Sequence, residues 1–200
     1  MKWTVDISSL IKEVELKKNP VIIRVNKFDE DAAKKFDQEV AQAHSTGQKI
    51  IPVVIDSYGG QVYSLMAMIA SIRHADIPVA TIVEGKAMSC GAILSTFGEE
   101  GLRFMDTDAT VMIHDVSSMD FGKVEELKAA AREADRLNTK VYTMMARNCG
   151  KKDDYFLKLV DKKKHADWFL DSKECKKHGI INHERIPSVK IKIGVDIDFE

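Results

Sequence analysis

What most constrains this chain is an alternation of two hydrophobic periods over its first hundred residues. Val21-Ile22-Ile23-Arg24-Val25 reads as a strand. Asp29 to His44 follows as a helix, with Ala33, Phe36, Val40 and Ala43 on one face at three-four spacing and Gly47 closing it. Ile50 to Ile55 is a second strand, although Pro52 argues against a central place in a sheet because it has no N–H to donate. After Gly59-Gly60, the mostly apolar stretch Val62 to His74 predicts a buried helix. Val79 to Val83 is a third strand and Ser89 to Phe97 a third helix. Strands and helices taking turns predict a mostly parallel α/β sheet, joined by right-handed crossovers and flanked by helices.

Past His114 the pattern changes. Asp115 to Phe121 is polar and extended, and Gly122 precedes a long helix from about Lys123 to Asn148. Val124, Leu127, Ala131, Ala134, Val141 and Met145 lie along one seam of that helix, interrupted by Asn138, and the opposite face is charged. Periodicity alone allows two outcomes: the helix packs on its own domain, or it projects and pairs with another subunit. Asp153 to Val160 reads as a helix, and Ser172 to His178 as a short one capped by Gly179. Val189, Ile191, Ile193, Val195, Ile197 and Phe199 alternate strictly, as in a terminal strand.

Two hundred residues, 44% of them apolar, suffice for one large domain or one domain with an appendage. The net charge of −1 gives no basic excess to attract nucleic acid, and the lysine clusters read as solvated helix ends. No apolar run approaches the roughly 20 residues of a membrane span, and Met1 to Asp6 lacks the apolar core of a signal peptide. The expectation is a cytoplasmic protein with neither nucleic acid nor membrane as partner. Cys90, Cys149 and Cys175 are an odd, widely spaced set that fits free thiols and matches no zinc spacing.

Three local patterns carry chemistry. Ser89, in Gly85-Lys86-Ala87-Met88-Ser89-Cys90-Gly91-Ala92, falls between a strand and a helix, where unpaired backbone N–H groups stabilise an oxyanion. In Asp56-Ser57-Tyr58-Gly59-Gly60-Gln61 a strand ends in two glycines whose backbone can approach a ligand closely. His114 ends the strand-like run Ala109 to Ile113. Taken singly, the serine fits an ordinary N-cap, the glycine pair a turn, and the histidine a satisfied core residue. Together, and in this order, they are far more specific.

In that order the residues resemble the Clp protease proteolytic subunits (ClpP), serine peptidases of the crotonase-like superfamily. Asp56-Ser57-Tyr58-Gly59-Gly60 is similar to the family's Asn-Ser-Pro-Gly-Gly, and Gly85 to Ala92 to its Gly-x-Ala-x-Ser-Met-Gly-Ala. Val111-Met112-Ile113-His114 matches Val-Met-Ile-His, and Ala166-Asp167-Trp168-Phe169-Leu170 resembles Arg-Asp-Arg-Phe-Leu. The resemblance implies an α/β, ClpP/crotonase-like fold with a mostly parallel sheet, flanking helices and a long protruding handle helix. It implies a lead segment 1–20, a peptidase domain 21–185 with a handle at about 115–148, and a strand-like tail 186–200. By the same resemblance Ser89 is the nucleophile, His114 the general base and Asp167 the orienting carboxylate. The N–H groups of Gly60 and Cys90 form the oxyanion hole. Gly59, Gln61, Val62, Asp115, Val116, Ser117 and Ser118 contact substrate, the last four as a strand onto which a peptide adds. The implied activity is acyl-enzyme hydrolysis of peptides or unfolded proteins inside an oligomeric chamber, needing neither metal nor organic cofactor. The implied partner is the chain itself, in heptameric rings possibly stacked as a tetradecamer, with the handle between rings.

The chain departs from the family pattern at several points. Tyr58 and Val116 stand where the family has prolines, and Cys90 replaces methionine. Ser118-Met119 replaces a glycine pair, and the stretch from Gly150 to Asp167 is a few residues longer. Residues 1–19 match no axial-loop segment, so the resemblance leaves an ATP-dependent unfoldase partner open. Two further readings share these motifs: a catalytically silent ring subunit, and an acyl-CoA-handling crotonase-type enzyme. Lys86 is conceivable as a base in place of His114. Asp115 is a poor orienter for His114, because successive residues of a strand point to opposite faces. His165 reads as a surface residue in a lysine-rich turn.

Overall fold

The computed structural model describes residues 19–117 and 121–188. Its elements run β1 (Ile23–Val25), α1 (Glu30–His44), β2 (Ile51–Ser57), α2 (Val62–Arg73), β3 (Val79–Met88), α3 (Cys90–Ser95), β4 (Arg103–Met105), β5 (Thr110–Ile113), α4 (Val124–Asn148), α5 (Tyr155–Lys162), β6 (Trp168–Leu170), α6 (Ser172–His178) and β7 (His183–Glu184). The seven strands form one sheet with helices against it. Every pairing is parallel except β5 with β6. The expected mostly parallel α/β architecture is therefore present. The called lead segment, apart from Asn19 and Pro20, and the alternating tail from Val189 onward lie outside the described residues, as does Ser118.

β3 is the organising strand. Pairing with β2 covers one of its edges, and two strands share the other: β4 takes Thr81 to Val83, and β5 takes Lys86 to Met88. The sheet therefore forks at the middle of β3. One branch runs through β4 to β7, the other through β5 to β6. This fork places the end of β3, and with it Ser89, between the end of β2 and the strands β5 and β6. β3 runs five residues further than the sequence reading, to Met88, because it goes on to pair with β5 after Glu84 to Lys86 bulge past β2. Three residues separate Val83 from Ala87, while only Asp56 separates their partners Ile55 and Ser57.

Pro52 sits inside a central strand after all. Ile51 donates its N–H to Pro78 on the β3 side, so the nitrogen of Pro52 faces β1, where pairing begins only at Val53. No ladder bond is asked of it. In α1, Asp29 caps by accepting from Ala32 N at 2.8 Å, and Ala33, Phe36, Val40 and Ala43 are buried as their spacing predicts. α2 differs from expectation: Leu65, Met68 and Ile69 are buried, but Tyr63, Ala67 and Ala70 face outward along a concavity of about 1050 Å³ shared with α1. Short side chains on that face leave room that a mostly apolar composition does not reveal.

The long helix is also divided. In α4 the buried residues begin at Leu137 and include Val141, Tyr142, Met144, Met145 and Ala146. Upstream, Val124 and Leu127 are exposed. The seam is one stripe in sequence, yet it is buried only from Leu137 onward; upstream of that, Glu133 accepts from the Tyr63 hydroxyl of α2 at 2.6 Å. Asn148 at its end is held by buried Arg103, whose Nη1 donates to the Asn148 carbonyl at 2.9 Å, a cation at a helix C-terminus. α6 matches its expected bounds, with Gly179 left-handed at φ 80°. No helix among the described residues is long and apolar enough to cross a membrane.

Candidate active site

Ser89 occupies the junction of β3 and α3 with φ 54° and ψ −119°, a region that residues with a Cβ rarely enter. A serine at this place normally caps the helix through its side chain. Here it does not: the Ser89 side chain makes no capping bond to α3. Its backbone is held instead by donation of its N–H to the Met112 carbonyl at 2.8 Å, which continues the β3–β5 pairing one residue past Met88. Strain of this kind costs on the order of 1–3 kcal/mol and persists only where the surroundings enforce it.

The glycine pair is what encloses the serine from the β2 side. Gly59 has φ 105°, and a Cβ there would stand 2.7 Å from the Ser89 Cβ and 3.2 Å from its hydroxyl. Gly60 has φ 150° and forms a parallel bridge with Phe28, whose carbonyl a Cβ on Gly60 would strike. Gln61 N–H donates to that carbonyl at 2.7 Å. Among the described residues, neither Gly60 nor Cys90 donates its backbone N–H to a backbone carbonyl, and both lie beside the Cys90 sulfur. Cys90 is buried, its thiol donating to the Gly60 carbonyl at 3.2 Å, which ties the two segments together. Burial pushes that thiol up to about 11, so it is protonated at neutral pH.

His114 follows β5, and Asp167 precedes β6. The antiparallel register pairs Val111 with Leu170, Met112 with Phe169 and Ile113 with Trp168. One step further sets His114 opposite Asp167. The His114 Nδ1 is 3.9 Å from Asp167 Oδ1, with the histidine side chain 26% exposed and the carboxylate 58%. This is charge proximity rather than a closed hydrogen bond. Asp171 is committed elsewhere: it caps α6, accepting from Glu174 N at 2.8 Å.

The rival groups are likewise engaged. Lys86 Nζ lies 2.8 Å from Asp56 Oδ1 and 4.4 Å from the centre of the Tyr58 ring, and the bond to Asp56 holds its pKa above the ordinary lysine value. A lysine kept protonated is no base. Asp115 points away from His114 and accepts from the Tyr142 hydroxyl at 3.1 Å and from His165 Nδ1 at 2.7 Å. Burial and the Asp115 charge raise the Tyr142 phenol, which stays a donor. Val116 N–H donates to Asn138 Oδ1 at 2.7 Å, so the residue that interrupts the α4 seam grips the segment after His114. Ser117 is exposed, Val62 is half-buried against the core, and Gln61 accepts from Ser64 Oγ at 3.2 Å. Sequence reading gave Asn138 and Tyr142 no role in this neighbourhood and took His165 as a surface residue, which at 59% exposed it is, without its contact to Asp115. Only the polar break in an apolar seam at Asn138 offered a signal.

The structure thus brings Gly59, Gly60, Ser89 and Cys90 into one contact set and His114 to Asp167 in another, joined through β5. No group of three or more His, Cys, Asp or Glu among the described residues is arranged to hold a metal ion. The large concavity between α1 and α2 is lined by none of Ser89, His114 or Asp167.

A strand-to-helix serine in a strained turn, faced by a glycine pair on a forked, mostly parallel sheet, places the chain among mixed α/β folds. The match of the Clp protease family to residues 7–184 makes the assignment specific, and the chain belongs to that family. It is also 30% identical over 135 residues to the ATP-dependent Clp protease proteolytic subunit 1 of Rhodopirellula baltica. That similarity covers 68% of this chain and spans 58% of the relative's length.

Proposed function

We propose that this chain is a serine-type endopeptidase that cleaves peptides or unfolded proteins through an acyl-enzyme. The observation that carries the reading is Ser89: it starts a helix without capping it, in a backbone conformation that only an enforced turn sustains. A peptide carbonyl placed against Ser89 meets the N–H groups of Gly60 and Cys90. In the reading, the Ser89 hydroxyl attacks that carbonyl and passes its proton to His114, and the two N–H groups hold the oxyanion. His114 then donates the proton to the leaving amine. Water, deprotonated by His114, releases the acyl group, and Asp167 keeps the imidazole in the tautomer the cycle needs. The 3.9 Å between His114 and Asp167 closes on substrate binding, as catalytic bonds often tighten only in the complex.

The bare first half of α4, with Val124 and Leu127 outward, supports a contact between copies of the chain, and the family resemblance supports rings. Sedimentation as a lone chain would remove that part of the reading. The extended segment from Asp115 would receive the peptide by strand addition. The relative's name speaks of ATP dependence; for this chain the reading expects short peptides to be cleaved without nucleotide.

The test is intact-mass measurement after incubation with a fluorophosphonate, beside hydrolysis of a fluorogenic peptide. One adduct mapped to Ser89 is expected, and Ser89→Ala should lose the adduct and on the order of 10⁴–10⁶-fold in rate. An unmodified chain would point to a silent subunit. Retained hydrolysis by Ser89→Ala would move the chemistry to another residue.

A further inference from the structure

We propose that Asp115 and His165 form a positioning pair that holds the loop carrying Asp167 against the strand end carrying His114. This rests on the peptidase reading and deepens it. The β5–β6 ladder ends at Ile113 and Trp168, so His114 and Asp167 lie just beyond it with no pairing bond of their own. Asp115, which the register sets opposite Ala166, reaches one residue further to His165: Nδ1 and Oδ2 are 2.7 Å apart. Each partner flanks a member of the proposed triad, Asp115 next to His114 and His165 two residues before Asp167.

The chemistry of the pair is defined by the carboxylate. Ionised Asp115 only accepts, so His165 Nδ1 carries the hydrogen and donates it. The other oxygen of Asp115 takes the Tyr142 hydroxyl from α4, and Val116 is taken by Asn138 one turn earlier on the same helix. The strand end is therefore held from two sides, by α4 and by the turn after α5. That turn is itself costly: Lys164 and His165 both have left-handed φ, 56° and 58°, a conformation that residues with a Cβ disfavour. The bonds from His165 N to Val160 O and from Lys164 N to Asp161 O keep it wound. A backbone held in this way brings the His165 ring, which stays 59% exposed, within reach of Asp115.

An exposed ion pair contributes little to stability. Its effect here is on distance. With the pair intact, Asp167 stays beside His114; without it, the half-exposed carboxylate is free to leave, and misplacement by about 1 Å costs on the order of 10²-fold in rate.

The experiment compares wild type, His165→Ala, Asp115→Ala, the double variant and Asp115→Asn by fluorophosphonate labelling, kcat, KM and melting temperature. Each alanine variant should lose about 10- to 100-fold in kcat and in labelling rate, with KM little changed. His165→Ala should keep its melting temperature, whereas Asp115→Ala, which also strips the buried Tyr142 hydroxyl of its acceptor, should melt lower. The double variant should match the singles, since either change opens the same clamp. Asp115→Asn should recover most of the rate, because an amide oxygen still accepts from His165 and the amide nitrogen still reaches Tyr142. A wild type that labels at Ser89, with alanine variants within about twofold of it, overturns the pair alone. A wild type that does not label at Ser89 overturns the peptidase reading and the pair with it. Additive losses, or no recovery in Asp115→Asn, also overturn it.

Discussion

The two sides of the candidate site are built differently. On the serine side, Ser89 is fixed by long paired strands, by Gly59 against its Cβ, and by buried Cys90 tied to Gly60. On the other side, His114 and Asp167 sit past the ends of strands of four and three residues, half in water and 3.9 Å apart. In the proposed reading, the attacking group and its oxyanion donors are preorganised by the core, whereas the base and its orienter depend on peripheral contacts that substrate or a neighbouring subunit would complete. The general lesson is that one site can draw rigidity from the centre of a sheet and adjustability from its rim.

The largest expected effect breaks the rim side. Asp167→Asn should lower peptide hydrolysis roughly 10⁴-fold, because an amide holds the imidazole in the wrong tautomer. Its melting temperature should not move, since the side chain is mostly exposed. Asp171→Ala makes the control: it removes the α6 cap at about 1 kcal/mol, seen as a lower melting temperature with activity kept. The reverse pattern would move the orienting role to Asp171.

Disturbing the packing of the core side at Gly59, with Ser89 kept, should cost less in rate and more in stability. Gly59→Ala forces a methyl to within 2.7 Å of the Ser89 Cβ at φ 105°. We expect about 10²–10³-fold loss in kcat from displaced oxyanion donors, and about 1–3 kcal/mol of destabilisation in denaturant unfolding. Full activity in this variant would mean that the serine side is looser than its contacts imply.

The smallest effect sharpens the contrast through pH. Burial pushes both Cys90 and Cys149 up to about 11, above the ordinary thiol. The folded state therefore binds more protons than the unfolded one at alkaline pH. The stability these thiols contribute is complete below about pH 9 and is lost as pH rises towards 11, by a few kcal/mol at most. Thermal melts across this window should fall and should fall less in Cys149→Ala. A flat profile would place water around these thiols.

Much of this was readable beforehand, and the exceptions have physical causes. The α1 face was legible because three-four spacing reports burial directly, and the serine and histidine segments because their small and apolar neighbours dictate a strand edge. β4, β6 and β7, at two or three residues each, are too short to express a period of two. The α4 seam gave the right stripe but not its extent, since a helix carries the same pattern whether its partner is its own domain or another copy. The Asp115–His165 contact was hidden by the left-handed turn at Lys164 and His165, where neither residue is a glycine to announce it. Asp171 and Asp167 look equivalent in the chain; capping geometry separates them only in three dimensions.

The positive φ of Ser89 also limits which nucleophile this fold can carry. A cysteine at position 89 adds nothing at Cβ and fits the same turn. A threonine adds a second heavy atom at Cβ, and a β-branched residue at positive φ is a severe backbone outlier. Of the three side chains that serve nucleophilic hydrolases most often, two are interchangeable in shape here, and the third is disfavoured by the turn itself.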